Sequence, residues 1–331
     1  MTIATAPLSL LRGLLVLVAL SGCPAFAQTE DYPNRPVTIV APAAPGGLYS
    51  LFARLIGSKL EQRLGKPFVV ENRSGASSIV GVMSVIRAPH DGYTLIVANN
   101  TGMAVNAALI KSLPYDPTKD LVPVALIARI PEVLAVNAAL PVHSLADLAK
   151  LAKATAGGLR YGSPGAGTRP PLSGVLLGSV LGVPLTHVPY KGMSPAIADV
   201  AAGHIALMFS PIPFAAPLAE AGKLRLLGVT TAGRVDAIRD VPPLAEAGLK
   251  GFDAVSWFML VAPAGTSPEI IAKLHRESGA IIGDSQVRAE LLRLGLEPVQ
   301  SPAPEQLRRF VADEIARWGA IVREAGLSGS Q

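Results

Sequence analysis

The sequence is short of almost every residue that carries chemistry. Among 331 residues there is a single cysteine, Cys23, so an exported protein of this sequence would hold together without disulfides. The five histidines, His90, His143, His187, His204 and His275, never pair at ligand spacing, so no metal site is expected. There is no G-x-S-x-G elbow, because Tyr161 stands where the first glycine would precede Ser163. There is no G-x-x-x-x-G-K-[ST] phosphate loop, and Pro170 occupies the place of the third glycine that a dinucleotide fingerprint would need after Gly165-Ala166-Gly167. No cofactor is expected. Only 16% of residues are charged and 5% aromatic. The lysines and arginines behind the net charge of +5 are scattered singly, without the basic cluster and interleaved aromatics of a nucleic-acid binder. After the N-terminus no run of about eighteen apolar residues occurs, so the mature chain is expected to be soluble. A Ser/His/Asp set assembled in space stays open, because such sets do not follow sequence order.

What is present begins with an export signal. Residues 1–10 are acid-free, Arg12 is basic, Gly13 to Leu20 is apolar but short for a membrane span, and Ala25-Phe26-Ala27 offers a small-x-small cleavage site. Residues 1–27 are therefore read as a signal peptide, which leaves Gln28 as the mature N-terminus of a periplasmic protein. Leu20-Ser21-Gly22-Cys23 resembles a lipobox, so anchoring through a lipid on Cys23 is the alternative.

With half its residues apolar, the mature chain has material for buried parallel sheets, and its length suits two medium domains. One unit recurs: a short buried strand, a Gly/Ser-rich loop, then a helix. Val37 to Ala41 leads through Pro45-Gly46-Gly47 into an apolar-periodic helix from Leu48 to Leu64, ended by Gly65 and Pro67. Phe68-Val69-Val70 leads into Asn72 to Ser77 and a helix to Arg87, and a strand follows at Tyr93 to Ala98. This β-α-β-α-β order predicts a parallel sheet. Leu121 to Val136 reads as one long strand interrupted at Pro131, a hinge crossing; Phe252 to Pro263 reads as the return. Between them, a helix from Ser144 to Ala154 with Ser144 as its cap precedes strands at Leu159–Tyr161, Leu185–Val188, Ile205–Phe209 and Leu224–Val229. The rest, from Pro268 to Leu327, reads as helical. The expected division is residues 28–130 with 252–331 as one discontinuous domain and 131–251 as the other. Loops such as Gly162 to Thr168 expose backbone donors and hydroxyls at the carboxyl ends of strands, where open sheets bind ligands and helix N-termini favour anions. That arrangement points to a pocket that holds a small acid.

The motifs in order, YPNRPVTIVAPAAPGG at 32–47, GKPFVVENRSGA at 65–76, APHDGYTLIVANN at 88–100, LPYDPTKDLVPVALIA at 113–128, LRYGSPGAGT at 159–168, HVPYKGMSPAIADVAAGHIALMF at 187–209 and DVPPLAEAGLKGFDAVSWFMLVAPAGT at 240–266, make the chain resemble the Bug family, the extracytoplasmic solute receptors of tripartite tricarboxylate transporters. The resemblance spans about 32–327. It implies an α/β fold of two Rossmann-like domains joined by two crossing strands, a clamshell like the type II periplasmic binding proteins. It also implies a binding protein rather than an enzyme, expected as a monomer, that delivers a small organic acid, mono- or dicarboxylate, to membrane components of a transporter or to a sensor. The second reading is an exported hydrolase-type enzyme using the same cleft. Carried over by position, the ligand-binding candidates are Ala44, Gly46 and Gly47 in the first loop and Ser163, Gly167 and Thr168 in the other lobe, with Asn99, Thr101 and Tyr190 as weaker ones. Three further ligand-binding candidates, Ser50, Arg169 and Ser210, are marked by departures from the family pattern. Ser50 stands where the family commonly has Asp in PGGxxD, Ser210 where Asp is frequent after LMF, and Arg169-Pro170-Pro171 replaces a common Ser/His stretch. Acid lost and a guanidinium gained favour a ligand without an amino group, with Arg169 as partner for a second carboxylate.

Overall fold

The computed structural model describes residues 32–163, 172–249, 255–324, 326 and 328–329. Two sheets form its body. The first takes its strands from both ends of the chain: β1 (Val37–Ala41), β2 (Phe68–Asn72), β3 (Thr94–Asn99), β4 (Leu121–Ile130), β10 (Ser256–Pro263) and β11 (Glu297–Pro298), in the order β11-β4-β10-β3-β1-β2. The second is formed by β5 (Glu132–Asn137), β6 (Leu159–Ser163), β7 (Leu185–Pro189), β8 (Leu207–Pro211) and β9 (Leu224–Val229), in the order β7-β6-β8-β5-β9.

Helices cover both faces of each sheet, as buried parallel strands require. On the first sheet, α1 (Leu48–Leu64), α8 (Pro268–Gly283) and α9 (Ser285–Arg293) bury Phe52, Ile56, Leu60, Leu274 and Leu291 against Ile39, Leu95 and Leu260. The opposite face packs Val40, Ile96 and Met259 against α2 (Ile79–Ile86) and the first half of α10 (Pro304–Glu324), with Leu307 and Val311 fully inside. On the second sheet, Leu134, Val136, Tyr161, Leu207 and Phe209 meet α4 (Leu145–Ala154) and α5 (Leu172–Leu181), while Val133, Ala135 and Met208 meet α6 (Met193–Ala202) and α7 (Ile212–Glu220). Trp318 and Val322, from the second half of α10, join the cluster of the second sheet. One helix thus lies across both cores.

The parallel sense expected from the β-α-β-α-β order holds for β1, β2 and β3, but the first sheet also carries two antiparallel strands, β10 and β11, and the second carries one, β5. β1 pairs parallel with β2 and β3, and β6 with β7 and β8, but β10 runs antiparallel to β3 and β4, and β5 antiparallel to β8 and β9. The cause is the crossing itself. β4 leaves the first sheet at Ile130 and β5 begins at Glu132, with Pro131 alone between them, so the chain enters the second sheet at its carboxyl edge and must run backwards through it. β10 returns the same way, pairing Ser256 with Ile130 and Phe258 with Asn99.

Local signals match their positions. Gly65 adopts φ 71°, and its N–H closes α1 on the Glu61 carbonyl. Ser144 caps α4, its hydroxyl oxygen accepting from the Asp147 N–H at 3.1 Å. The helix expected from Ser77 instead starts at Ile79, because Ala76, Ser77 and Ser78 all take positive φ (44°, 50° and 75°) after Gly75 at 142°. Tertiary contacts hold this turn: Asn106 Nδ2 donates to the Ser77 carbonyl at 2.9 Å, and the hydroxyls of Tyr49 and Ser78 are 3.2 Å apart. A helical stretch went unread in the sequence, a π turn at Thr101–Val105 running into α3 (Asn106–Leu109).

Candidate functional site

Topology places the site. In the first sheet Ile130 and Asn99 end their strands at the same edge, the carboxyl edge of β1 and β3. In the second, Glu132 pairs with Pro211, the last residue of β8, which marks the carboxyl edge of β6, β7 and β8. Pro131 therefore joins the carboxyl edges of both sheets, the edges at which open α/β sheets bind ligands.

On the first lobe, the loop after β1 carries Ala44, Gly46 and Gly47. Ala44 and Gly46 are exposed, and a Cβ on either glycine would meet no atom within 4 Å. Gly46 has φ 91°, which favours glycine. Gly47 caps α1 without any side-chain hydrogen bond, and the first turn holds no acid, so the helix N-terminus points bare N–H groups at this space. Behind it, Asn72 works as a clamp: its Nδ2 donates to the Ala43 carbonyl at 2.8 Å and to the Ser50 hydroxyl at 2.7 Å. Ser50 is 4% exposed, so its role is to hold the loop from beneath. Asn99 Oδ1 accepts from the Thr101 N–H at 2.9 Å and turns the chain out of β3. Beside it, the Ser256 hydroxyl donates to Asn100 Oδ1 at 2.7 Å, tying the return strand to the same corner.

On the second lobe, Ser163 ends β6 fully buried, 2.7 Å from His187 Nε2, whose ring also lies 5.2 Å from that of Tyr161. Burial lowers the His187 pKa, which keeps the imidazole neutral. No carboxylate bonds its other nitrogen among the described residues, so the pair lacks the acid of a nucleophilic triad. Tyr190 follows β7, and its N–H donates to the Ser163 carbonyl at 3.0 Å. Its hydroxyl donates to Asp199 at 2.6 Å; burial first, then Asp199, raises its pKa to about 12. Ser210 sits on the α6 side of β8, with its hydroxyl donating to the Pro211 carbonyl at 3.1 Å and lying 3.7 Å from the Met193 sulfur. Gly167, Thr168 and Arg169 lie outside the described residues. Of the twelve candidates, then, Ala44, Gly46, Gly47, Asn99 and Thr101 gather at one edge and Ser163, Tyr190 and Ser210 at the other, with Ser50 beneath the first loop.

One residue at this edge escaped sequence reading. Glu132, directly after the crossing proline, lies deep in the molecule but keeps some solvent contact, and burial raises its pKa to about 7 against the opposing effect of a hydrogen bond with Ser173. The only signal was its place beside Pro131. A groove of about 680 Å³ between α1, β2 and α9 opens beside Phe68, at the amino end of β2, away from both carboxyl edges. Among the described residues no cluster of His, Cys, Asp and Glu could hold a metal ion, and no helix is long and apolar enough to cross a membrane.

The family model for the tripartite tricarboxylate transporter family receptor matches residues 52–327. BugT of Bordetella pertussis is 34% identical over 312 residues, which cover 94% of this chain and 95% of that protein. Among solved structures, R. palustris Rpa4515 with adipate is 39% identical with a TM-score of 0.85 over 90% of this chain and 99% of that one. MatC from Rhodopseudomonas palustris with bound malate is 34% identical with a TM-score of 0.80 over 88% of this chain and 100% of that one. With that model matched over most of its length and the two-sheet body shared, the chain belongs to the receptor family of the tripartite tricarboxylate transporters.

Proposed function

We propose that this chain is an exported, monomeric solute receptor that captures a small carboxylate between the carboxyl edges of its two sheets and hands it to transporter membrane components or a sensor. Residues 1–27 serve as its signal peptide. The lobes divide at the crossings, 28–130 with 252–331 against 131–251, although α10 packs on both. The observation that supports the reading is the join at Pro131, which sets the carboxyl edges of the two sheets beside one another, with the uncapped N-terminus of α1 at the first and the end of β6 at the second. Backbone N–H groups at Gly46 and Gly47 hold one carboxylate, and Ser163, with Gly167, Thr168 and Arg169 of the following loop, closes on the ligand from the other lobe. Relatives with adipate and malate bound support the ligand class.

The test is a thermal-shift and calorimetric screen of the purified protein against adipate, malate and their amino-acid analogues, with the ligand recovered and weighed by mass spectrometry. A raised Tm, ligand recovered unchanged, and a smaller radius of gyration in solution scattering on binding are expected. Turnover that depends on Ser163 or His187 would instead establish the hydrolase reading. Binding of aspartate or glutamate as tight as that of malate would refute the preference for ligands without an amino group.

A further inference from the structure

The acid at the crossing has a geometry of its own. Glu132 opens β5, with its N–H donating to the Thr230 hydroxyl at 3.0 Å and its carbonyl accepting from the Thr230 N–H at 2.9 Å, so its backbone is fixed from both directions. Side chains alternate along β5: Val133 and Ala135 join the core under α6 and α7, Leu134 and Val136 the core under α4 and α5. Glu132 therefore projects on the α5 side, the same side as Tyr161 and Ser163 on β6, at the same carboxyl edge. Its contact with Ser173, in the first turn of α5, puts it where the loop after β6 ends.

No cation offsets it among the described residues. Arg129 near the end of β4 and Arg160 on β6 are exposed, and Arg225 on the neighbouring β9 is turned to the carbonyls of Leu140 and Val142, so none of these described arginines is turned to Glu132. Asp199 of α6 is engaged by Tyr190 and His204, and β8, β10 and α5 carry no charged residue. Arg169 lies outside the described residues. An acid with this surrounding keeps its proton easily, and a second carboxylate brought beside it would strengthen that hold, since two carboxylates in one site share a proton.

We propose that Glu132 is the second-lobe end of the ligand site and that it binds a dicarboxylate by sharing a proton with the ligand's far carboxylate, so that capture of the dianion takes up a proton. This rests on the carboxylate reading above. In it, the first-lobe loop holds one carboxylate through backbone N–H groups, while Glu132 meets the other as a neutral donor. A monocarboxylate of equal chain length leaves Glu132 without that partner and binds without proton uptake.

The experiment is calorimetry of adipate and malate binding to the full mature chain at pH 6, 7 and 8, in buffers of different ionisation enthalpy, with hexanoate as the monocarboxylate control. Adipate affinity should rise about tenfold or more from pH 8 to pH 6, with net proton uptake at pH 8 that hexanoate does not show. Glu132→Gln, which keeps shape and a hydrogen-bond donor, should bind adipate with affinity level across this range; it also subtracts any protons the ligand itself takes up. Dicarboxylate binding without proton uptake, or an unchanged pH profile in Glu132→Gln with an unchanged Tm, overturns this proposal and leaves the receptor reading standing. No binding of any of the three acids overturns both.

Discussion

The two lobes present similar strand edges built from different materials. At the carboxyl edge of the first lobe the described surface is mostly backbone: the exposed Gly46, the uncapped start of α1 at Gly47, and neutral amide side chains, Asn72 and Asn99, that brace the loops from within. At the corresponding edge of the second lobe the described residues include side chains that titrate or neighbour one that does, Ser163 with His187, Tyr190 with Asp199, and Glu132. The first kind of surface suits any carboxylate and ignores pH, because N–H donors and amides do not ionise. The second responds to what the rest of the ligand carries. Affinity for an acid group is thus expected from the first lobe, and discrimination among acids from the second.

What the lobes share can be broken most severely. Glu314, on α10 and 8% exposed, accepts from the indole N–H of Trp257 at 2.7 Å and from that of Trp318 at 3.0 Å. Trp257 belongs to the return strand of the first sheet and Trp318 to the cluster of the second. Glu314→Ala leaves two buried donors unpaired and should cost about 2–4 kcal/mol of stability, read as a lower midpoint in chemical denaturation. Glu314→Gln keeps an acceptor and should lose less than half of that. Equal losses would mean the charge, rather than the pairing of the indoles, is what α10 contributes.

Two substitutions separate the walls of the cleft. Gly46→Val puts a branched side chain at φ 91° into the open space before α1, so adipate binding should fall about a hundredfold, more than the roughly 1–2 kcal/mol of stability that the strained backbone costs. Asn72→Ala removes both bonds of the clamp and should weaken binding by roughly 1–2 kcal/mol without altering the pH profile. A changed pH profile in Asn72→Ala would erase the proposed contrast between a pH-blind wall and a pH-sensing one.

The same contrast explains what could be read from the sequence. Strand–loop–helix units announce themselves through apolar periodicity and glycine, so α1 was legible from Leu48 to Leu64 and the crossing at Pro131 from a proline in an apolar run. The antiparallel sense of β5 and β10 was not, because it follows from which sheet edge the crossing strand enters, a property of assembly. In the candidate site, the glycine loop was legible as a strand-to-helix loop at the carboxyl edge of β1, since glycines and the helix pattern mark it. Glu132 was not, because an acid next to an apolar strand looks like any solvated charge until burial, and the lack of a cation beside it among the described residues, give it meaning. Ser50 and Ser210, where the family commonly has acids, direct their hydroxyls to Asn72 and to Pro211 and Met193.

The pH dependence of stability offers a check on the second lobe without any ligand. A glutamate whose pKa is raised from 4.5 to about 7 binds more protons folded than unfolded between those values, so its burden on stability grows as pH rises through that window and is complete above it. With solvent still reaching the group, roughly 1–2 kcal/mol is expected rather than the full shift. Glu132→Gln should therefore be more stable than the natural protein at pH 8 and about equal to it at pH 4.5, and a constant difference across the range would show that Glu132 titrates normally.

The smallest effect is expected in the first lobe, at the turn before α2. Ser77 holds φ 50° and ψ 47° without glycine's freedom, and among the described residues no hydrogen bond of its own side chain compensates, its carbonyl alone being used, by Asn106. Left-handed backbone costs an ordinary residue about 1 kcal/mol, part of which glycine gives back through the entropy of the unfolded chain. Ser77→Gly should accordingly raise stability by about 0.5 kcal/mol, a degree or two in Tm for a chain of this size, and Ser77→Val should lower it by more, since a branched side chain fits that region worst. Ser78 is the internal control, because its hydroxyl meets Tyr49 and glycine there would forfeit that contact as it relieves the backbone. If Ser77→Gly is stabilising but weakens adipate binding, the turn's conformation is maintained for the ligand, and the pH-blind wall of the first lobe extends from the loop after β1 to the loop after β2. If it stabilises and binding is untouched, the turn serves only to seat α2 against Pro42, where Gly81 leaves no room for a Cβ.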